Sequence, residues 1–584
     1  MQTRSFLIVL LVALAWQPKP SQAAQAPRDM LLIGGGMRIC AAASVRDCAE
    51  TFAGFSPAQT PQIRFHFDET GVATATDPAL WSSSPAAIAA LAGPILRAVA
   101  SEQVATLDED DAIAAITNVC LPVAGSACND GTAAHGALWW DKLLERERQG
   151  VLAALQVPDI DGAGVRRREG VNVHASRNPN AAQMLERFVA LARRNGTARP
   201  RIAVVTAASA DPFAVVDFYL EVFRQLGAEP VWWPLDAALA GVIEHGESCD
   251  RLETVRRAEM ALPGRERVYP DLAVQQMEQC LARANLAQWP TQVDGVFFSG
   301  GDQSRLRTVF FTRDGKPNGI HRALATSFAA GSLVIAGTSA GSAVQSSRAM
   351  LSNGESRWAL AHQAISGRAP EPGCTRAGRC GVGIPESALT YDAAGGLGLV
   401  PEAIIFDTHF SERGRELRLL AMLHDAAVSN GIGIDENSAV HLRWQAGTDT
   451  LVEALGASGA WLLRRASAGG DDGYLWVDAH YLATGSSAYL GSRGWRLDGD
   501  HRPVRRARLS APADVLDAGA MRRFAWDFAA HGRRQSTFFN SVACGRATIK
   551  VMHSERTAAF APLPPATHGS VAGVRIGLNR SQCE

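Results

Sequence analysis

The sequence predicts an α/β protein built on a mainly parallel sheet with helices on both faces. Three observations carry that expectation. Short apolar runs alternate with helix-compatible stretches from Ala181 to Ile434, the rhythm of strand–helix–strand units. Met30-Leu-Leu-Ile33 reads as a buried first strand running into the turn Gly34-Gly35-Gly36. Asp294-Gly-Val-Phe-Phe-Ser299 likewise ends at Gly300-Gly301. In open sheets of this kind, sites lie at the carboxyl ends of the strands.

The elements follow in order. After the first strand, a segment from about 37 to 178 lacks the strand–helix rhythm and reads as an insertion. It holds four cysteines, the acidic run Asp108-Glu-Asp-Asp111, and helical stretches near Ala86–Ala100 and Trp139–Leu155. Ala181–Arg194 is helical by its apolar spacing and leads to strand Arg201–Thr206. Helix Phe213–Leu226 precedes strand Pro230–Trp233, and a helical stretch around Ala273–Ala287 precedes strand Asp294–Ser299. Helix Gly319–Ala330 feeds strand Ser332–Ala336. A lengthened segment from about 351 to 399 separates it from strand Ala403–Phe406, helix Glu412–Val428 and strand Gly431–Ile434. Beyond Val440 the pattern turns toward β, with Thr448–Leu455, Ala460–Leu463 and Tyr474–Val477. The expected division is a leader over 1–23, a core over 24–490, and an Arg- and aromatic-rich C-terminal extension over 491–584.

Composition narrows the class. The 584 residues are 47% hydrophobic and 20% charged, which excludes a disordered chain. A net charge of -1 gives no basic field for nucleic acid. Arg4, the apolar run Phe6–Trp16 and the small residues Ser21-Gln-Ala-Ala24 together form a secretory leader, cleaved after about Ala23. No other stretch is long and apolar enough to span a membrane. The ten cysteines fall as near neighbours, and sequential pairing is the simplest connectivity for an exported chain. No CxxC or Cys/His spacing suits a metal.

Strand Ser332–Ala336 runs into Gly337-Thr-Ser339-Ala-Gly341, a G-x-S-x-G motif in its strand–turn–helix context. The glycines permit a sharp turn, and the following helix offers N–H groups to a developing oxyanion. A serine needs a base, itself oriented by an acid. His409 follows strand Ala403–Phe406 and Glu436 follows strand Gly431–Ile434, which puts both at the sheet edge expected for Ser339. His321, His424 and His441 sit within or beside regular elements, where a satisfied core or surface role is expected. The order Ser…His…Glu differs from the Ser…Asp/Glu…His of α/β-hydrolases.

Four motifs now combine: Ser-Gly-Gly-Asp-Gln303, Gly-Thr-Ser-Ala-Gly341, Asp407-Thr-His-Phe-Ser-Glu-Arg413-Gly-Arg415-Glu-Leu-Arg418, and Gly433-Ile-Asp-Glu436-Asn. In that order the chain resembles the cyanophycinase family of serine peptidases, relatives of aspartyl dipeptidase (peptidase E). The resemblance covers the first strand and roughly 181–490. It implies a flavodoxin-like, class I glutamine-amidotransferase-like core. It further implies Ser339 as nucleophile, His409 as general base and Glu436 as orienting acid, with the N–H groups of Gly301 and Ala340 as oxyanion hole. Substrate contacts would come from Gln303, Asp407, Thr408, Arg413, Arg415 and Arg418. Asp407 could pair with a substrate guanidinium. The arginines, within about a turn and a half of one helix, could bind aspartyl carboxylates, but Arg413 and Arg415 point to different helix faces, so all three are not expected to reach one ligand.

The activity so implied is hydrolysis of cyanophycin, an aspartate backbone bearing arginine on each β-carboxylate, to β-Asp-Arg dipeptides. Neither metal nor cofactor is called for, and a homodimer is a family expectation. Thr408 departs from the family's Asp-Gln-His-Phe, which keeps a related aspartyl or isoaspartyl dipeptidase in play. A secreted binding protein with a vestigial triad is the alternative from a different class, against which the intact Ser339, His409 and Glu436 count.

Overall fold

The computed structural model describes residues 26–102, 105–121, 135–193, 196–466, 473–498, 503–506, 508–542, 545–563 and 568–581. The expected leader and its cleavage position lie outside them, as do Cys128, Cys544 and Cys583. The first strands are β1 (Arg28–Ile33), β2 (Arg201–Val205), β3 (Glu229–Trp232), β4 (Gly295–Phe298) and β5 (Val334–Thr338). Then come β6 (Met350–Asn353), β7 (Ile365–Ser366), β8 (Thr390–Asp392), β9 (Ile404–Thr408) and β10 (Asn430–Ile434). The next group is β11 (Ser438–Trp444), β12 (Thr450–Gly456), β13 (Gly459–Arg465), β14 (Leu475–Ala483), β15 (Ser487–Gly491) and β16 (Gly494–Asp498). The last are β17 (Gln535–Val542), β18 (Gly545–Ala559) and β19 (Val571–Asn579).

These strands form two large sheets and a small one. The first has nine strands in the order β16-β15-β12-β11-β1-β5-β4-β2-β3. Its five strands from β1 to β3 run parallel, and β11, β12, β15 and β16 extend it antiparallel. Helices Asn180–Ala192 and Val216–Gln225 cover one face of the parallel part through Leu185, Phe188, Val222 and Phe223. Helices Ala237–Glu244, Gln303–Phe310 and Gly319–Ala329 cover the other through Leu239, Leu306, Phe310 and Leu324. The predicted α/β class is therefore present, but the sheet is mixed and not mainly parallel: four of its eight pairings are parallel and four antiparallel.

A second expectation needs correction. β9 and β10 do not continue that sheet. They belong to a second, seven-stranded sheet ordered β17-β18-β19-β14-β13-β10-β9, in which only β9 and β10 are parallel. A short apolar strand buried on both faces reads the same in one sheet as in another packed on it, so the run itself carried no sign of the change. Ile404, Phe406, Ile432, Ile434, Ala460 and Leu462 of the second sheet share a core with Ile335, Val440 and Leu442 of the first. Its other face packs helices Glu416–Asp425 and Ala520–His531, through Leu420, Leu423, Phe524 and Phe528. The chain passes from the second sheet to the first in the three residues Asp435–Asn437, between β10 and β11.

The insertion has its own core around Phe65, Trp81, Leu96, Trp139 and Leu155. It docks on the sheet region through Arg166, held between Asp217 at 2.6 Å and Asp271 at 2.7 Å. The acidic run caps helix Glu109–Thr117, the Asp108 carboxylate accepting the N–H of Asp111. The expected division at 490/491 falls at the end of β15, and the residues beyond it supply β16 to the first sheet and β17–β19 to the second. Cys40–Cys48, Cys249–Cys280 and Cys374–Cys380 are disulfide-bonded. Among the described residues, no helix is long and apolar enough to cross a membrane.

Candidate active site

Ser339 follows β5 at a sharp elbow with φ 52° and ψ -114°, a left-handed φ that a side chain adopts only under constraint. The elbow is held from both sides. The Ser339 N–H donates to the Ile33 carbonyl at 2.9 Å, and Ser342 Oγ donates to the same carbonyl at 2.8 Å. Gly341 is packed so closely that a Cβ would lie 2.2 Å from the Phe298 carbonyl oxygen. Only glycine fits there, which is the physical reason for the second glycine of the motif.

His409 and Glu436 follow β9 and β10, whose parallel register sets Thr408 beside Ile434 and so brings the two loops level. Ser339 Oγ lies 2.7 Å from His409 Nε2, and His409 Nδ1 lies 2.7 Å from Glu436 Oε1. With Nδ1–H donating to Glu436, Nε2 is left to accept the serine proton, the arrangement a nucleophile–base–acid relay needs. Burial holds the His409 imidazole below its ordinary value and the cations Arg413 and Arg415 add to this, while the Glu436 hydrogen bond pulls the other way. A depressed imidazole is neutral, and able to accept a proton, at lower pH than a free one.

The Gly34-Gly35-Gly36 turn binds these parts together, a role that sequence reading did not assign to it. The His409 N–H donates to the Gly34 carbonyl at 2.8 Å, and the Asn437 N–H donates to that of Gly35 at 2.8 Å. A Cβ on Gly35 would lie 2.3 Å from His409 Cε1, and one on Gly36 2.9 Å from Glu436 Oε2. The imidazole and the carboxylate thus rest on bare backbone. Three glycines directly after a buried strand were the available signal. His409 and Asn437 also take left-handed φ values, 51° and 53°.

Around Ser339 opens a cavity of about 640 Å³, which Gly301, Gln303, Ala340, Asp407, Thr408, Arg413, Arg415 and Arg418 all line. Gly301 has φ 139°, and a Cβ there would meet the Ala208 carbonyl oxygen at 2.0 Å. The Gln303 amide nitrogen is committed, donating to the Leu351 carbonyl at 2.6 Å. The lengthened segment builds the facing wall, with Leu351–Arg357 and Glu386 on the cavity.

Two expectations are corrected here. Asp407 is not open to a substrate guanidinium. It is buried, its oxygens take Nε and Nη2 of Arg418, and Oδ1 also accepts the Thr408 N–H. Burial alone would raise its pKa, but Arg418 and Arg415 override that and hold it below the usual carboxylate range. The three arginines, moreover, do not share a helix. Arg413 sits in a 3-10 turn over Ser411–Arg413, Gly414 takes a left-handed φ of 55°, and the helix starts only at Glu416. The consequence is three different environments. Arg418 is buried on Asp407, and its Nη1 donates to the Gly354 carbonyl. Arg415 donates to the Thr408 carbonyl at 2.6 Å, and burial beside Arg418 lowers its pKa to about 9. Arg413 is half exposed, 3.9 Å from Glu436.

Two carboxylates on the far wall were missed, Glu355 and Glu386. Glu355 is exposed with no ion-pair partner among the described residues, whereas Glu386 accepts the N–H groups of Gly373 and Thr375. The remaining histidines behave as expected. His441 is buried between Asp29 at 2.8 Å and Glu453 at 2.7 Å, and His321 and His424 each meet a backbone carbonyl. Among the described residues no cluster of His, Cys, Asp or Glu could hold a metal ion.

No family model matches the chain. A curated cyanophycinase of Trichormus variabilis is 28% identical over 245 residues, 42% of this chain and 58% of that protein. The cyanophycinase of Geminocystis herdmanii is 27% identical over 255 residues, 44% of this chain and 66% of that protein. The chain thus spans somewhat over half the length of the curated relatives it matches. Among solved structures, a peptidase from an acI-B1 Actinobacterium is similar with a TM-score of 0.30 and 16% identity, over 53% of this chain and 91% of that one. The curated matches agree on one kind of protein: over about two fifths of its length the chain is similar to cyanophycinases.

Proposed function

We propose that the chain is a serine peptidase that cleaves cyanophycin through Ser339, His409 and Glu436. The observation that carries this reading is the relay of two 2.7 Å contacts from hydroxyl to imidazole to carboxylate, opening on a polar cavity. Ser339 Oγ attacks the scissile carbonyl as His409 Nε2 takes its proton. The N–H groups of Gly301 and Ala340, both on the cavity beside Ser339, receive the developing oxyanion. The imidazolium then protonates the leaving amine, and water, activated by the same base, resolves the acyl-enzyme.

Arg413, the most open of the three arginines, meets an aspartyl carboxylate of the polymer. Arg415 and Arg418 set the positive field behind it. The substrate guanidinium faces Glu355 and Glu386, since Asp407 is committed to Arg418. Three cystines among the described residues support export. A flavodoxin-like core is part of the same reading, since the parallel strands run β3-β2-β4-β5 with β1 in the fifth place. Thr408 favours a second reading. It is buried on the cavity with a side chain too short to reach far into it, which suits a related aspartyl or isoaspartyl dipeptidase.

Release of soluble β-Asp-Arg from insoluble cyanophycin, measured beside turnover of short isoaspartyl peptides, separates the two. A purified chain inactive on both, whose Ser339 resists diisopropyl fluorophosphate, would falsify the peptidase reading.

A further inference from the structure

The residues beyond 490 have so far had no part in the chemistry, yet they reach the triad from behind. The Gly519 N–H, at the start of helix Ala520–His531, donates to the Ser411 carbonyl at 2.6 Å, docking that helix on the turn after His409. From its first turn Arg522 places Nη1 2.6 Å from Asp435 Oδ2 and 3.3 Å from Glu412 Oε1. Both acids hold the backbone that carries the triad. Glu412 Oε2 accepts the Glu436 N–H at 2.8 Å. Asp435 Oδ1 accepts the Ser411 N–H at 2.9 Å, and its Oδ2 also accepts the Tyr481 hydroxyl at 2.8 Å.

The charges behind the triad are crowded. Asp435 is fully buried, Glu416 is buried beside it, and Arg522 is the guanidinium that bonds to this group. His568 also feels Arg522, Asp435 and Arg523, and burial keeps its imidazole below its ordinary value. Around His409 itself stand Ser339, Glu436, Arg413 and Arg415. Without Arg522, Glu412 and Asp435 would face each other uncompensated and would take up protons or move apart. Either change loosens the support of Glu436.

We infer that Arg522 is a positioning residue: by clamping Glu412 and Asp435 it fixes Glu436, and through it the imidazole of His409, in line with Ser339. The inference rests on the triad reading above. It makes the C-terminal segment a component of the active site and not an appendage.

The test uses the full chain as wild type, Arg522→Met, Arg522→Lys and Arg522→Met/Glu412→Gln. The rate at which diisopropyl fluorophosphate labels Ser339 is followed from acid to alkaline pH, beside kcat and KM on cyanophycin or isoaspartyl peptide. Arg522→Met should slow labelling by about 100-fold with KM little changed, the scale of a small misplacement of reacting groups. Its pH midpoint should move upward, because uncompensated carboxylates favour the imidazolium. Arg522→Lys should keep the midpoint with a loss of about 10-fold or less, and Glu412→Gln in the Met background should move the midpoint back down.

Wild-type labelling rate and midpoint in a folded Arg522→Met would overturn the inference. If that variant is not recovered folded, Arg522→Lys decides: a partial rate loss at constant KM supports the clamp, and a wild-type rate refutes it. A wild-type chain neither labelled nor active on either substrate overturns the triad reading instead.

Discussion

The two sheets furnish the site in different ways. The nine-stranded sheet delivers Ser339 on one elbow, secured by its own helix turn and by the end of the adjacent strand β1. The seven-stranded sheet delivers His409 and Glu436 on two level strands, and the supports of that pair come from far away in sequence. Gly34 and Gly35 hold it from one side, Arg522 and Tyr481 from the other. In the proposed triad, the half that carries Ser339 is therefore local and self-contained, while the His409–Glu436 half is assembled from both ends of the chain. If the two halves form the proposed relay, a misplacement of about 1 Å at the seam between them would cost on the order of 100-fold in rate.

Cutting the first half alone is expected to give the largest effect. Ser339→Ala should reduce peptidase activity by roughly 10⁴-fold or more while circular dichroism stays that of the wild type. Gly35→Ala attacks the seam. The new methyl would occupy the place of the imidazole, at a φ of 92° that L-residues rarely take. Activity should fall by about 10³-fold, with Ser339 labelling lost to a comparable degree. An intact labelling rate would show that the turn does not support the base.

Asp407→Asn probes the wall of the cavity contributed by β9. It leaves the buried Arg418 guanidinium without its counter-charge and should cost about 3–5 kcal/mol in denaturant unfolding. The pH profile sharpens the comparison further. Because burial holds His409 below its ordinary value, the acid limb of kcat/KM should lie below pH 6.5. Glu436→Gln removes the partner that raises it, so that limb should move still lower as the rate drops.

An effect confined to stability concerns Glu416, whose burial raises its pKa to about 8 from an ordinary 4.5. The folded state then keeps a proton that the unfolded chain has released. Stability should decline as pH rises from about 4.5 to about 8 and level off above that. Glu416→Gln should flatten this dependence in urea midpoints measured across that range.

Much of the candidate site's geometry was legible because it is written locally. An apolar strand entering Gly337-Thr-Ser339-Ala-Gly341 specifies an elbow from adjacent residues, and histidine or acid directly after a strand specifies a position at a strand end. What stayed hidden depends on distance. Nothing in Ala403–Phe406 reveals which sheet it joins, since a strand buried on both faces carries no label for its neighbours. Asp407 looked free because its partner Arg418, though near in sequence, turns back onto it only after the left-handed step at Gly414. Arg522 sits in a segment with no motif of its own, and its meaning appears only where helix Ala520–His531 meets the turn after His409.

Of the five non-glycine residues with left-handed φ among the described residues, three are Ser339, His409 and Asn437. Each such position costs roughly 1–2 kcal/mol against a relaxed backbone, a strain glycine would largely escape. The site is thus a place where selection for heat resistance and selection for turnover pull in opposite directions. A library of this protein sorted only for solubility or melting temperature would drift toward glycine at 339 and 409, which on the proposed triad would enrich well-behaved chains with no chemistry left. Any effort to harden the scaffold has to hold those positions fixed and find its gains elsewhere, in the insertion or on the outer strands.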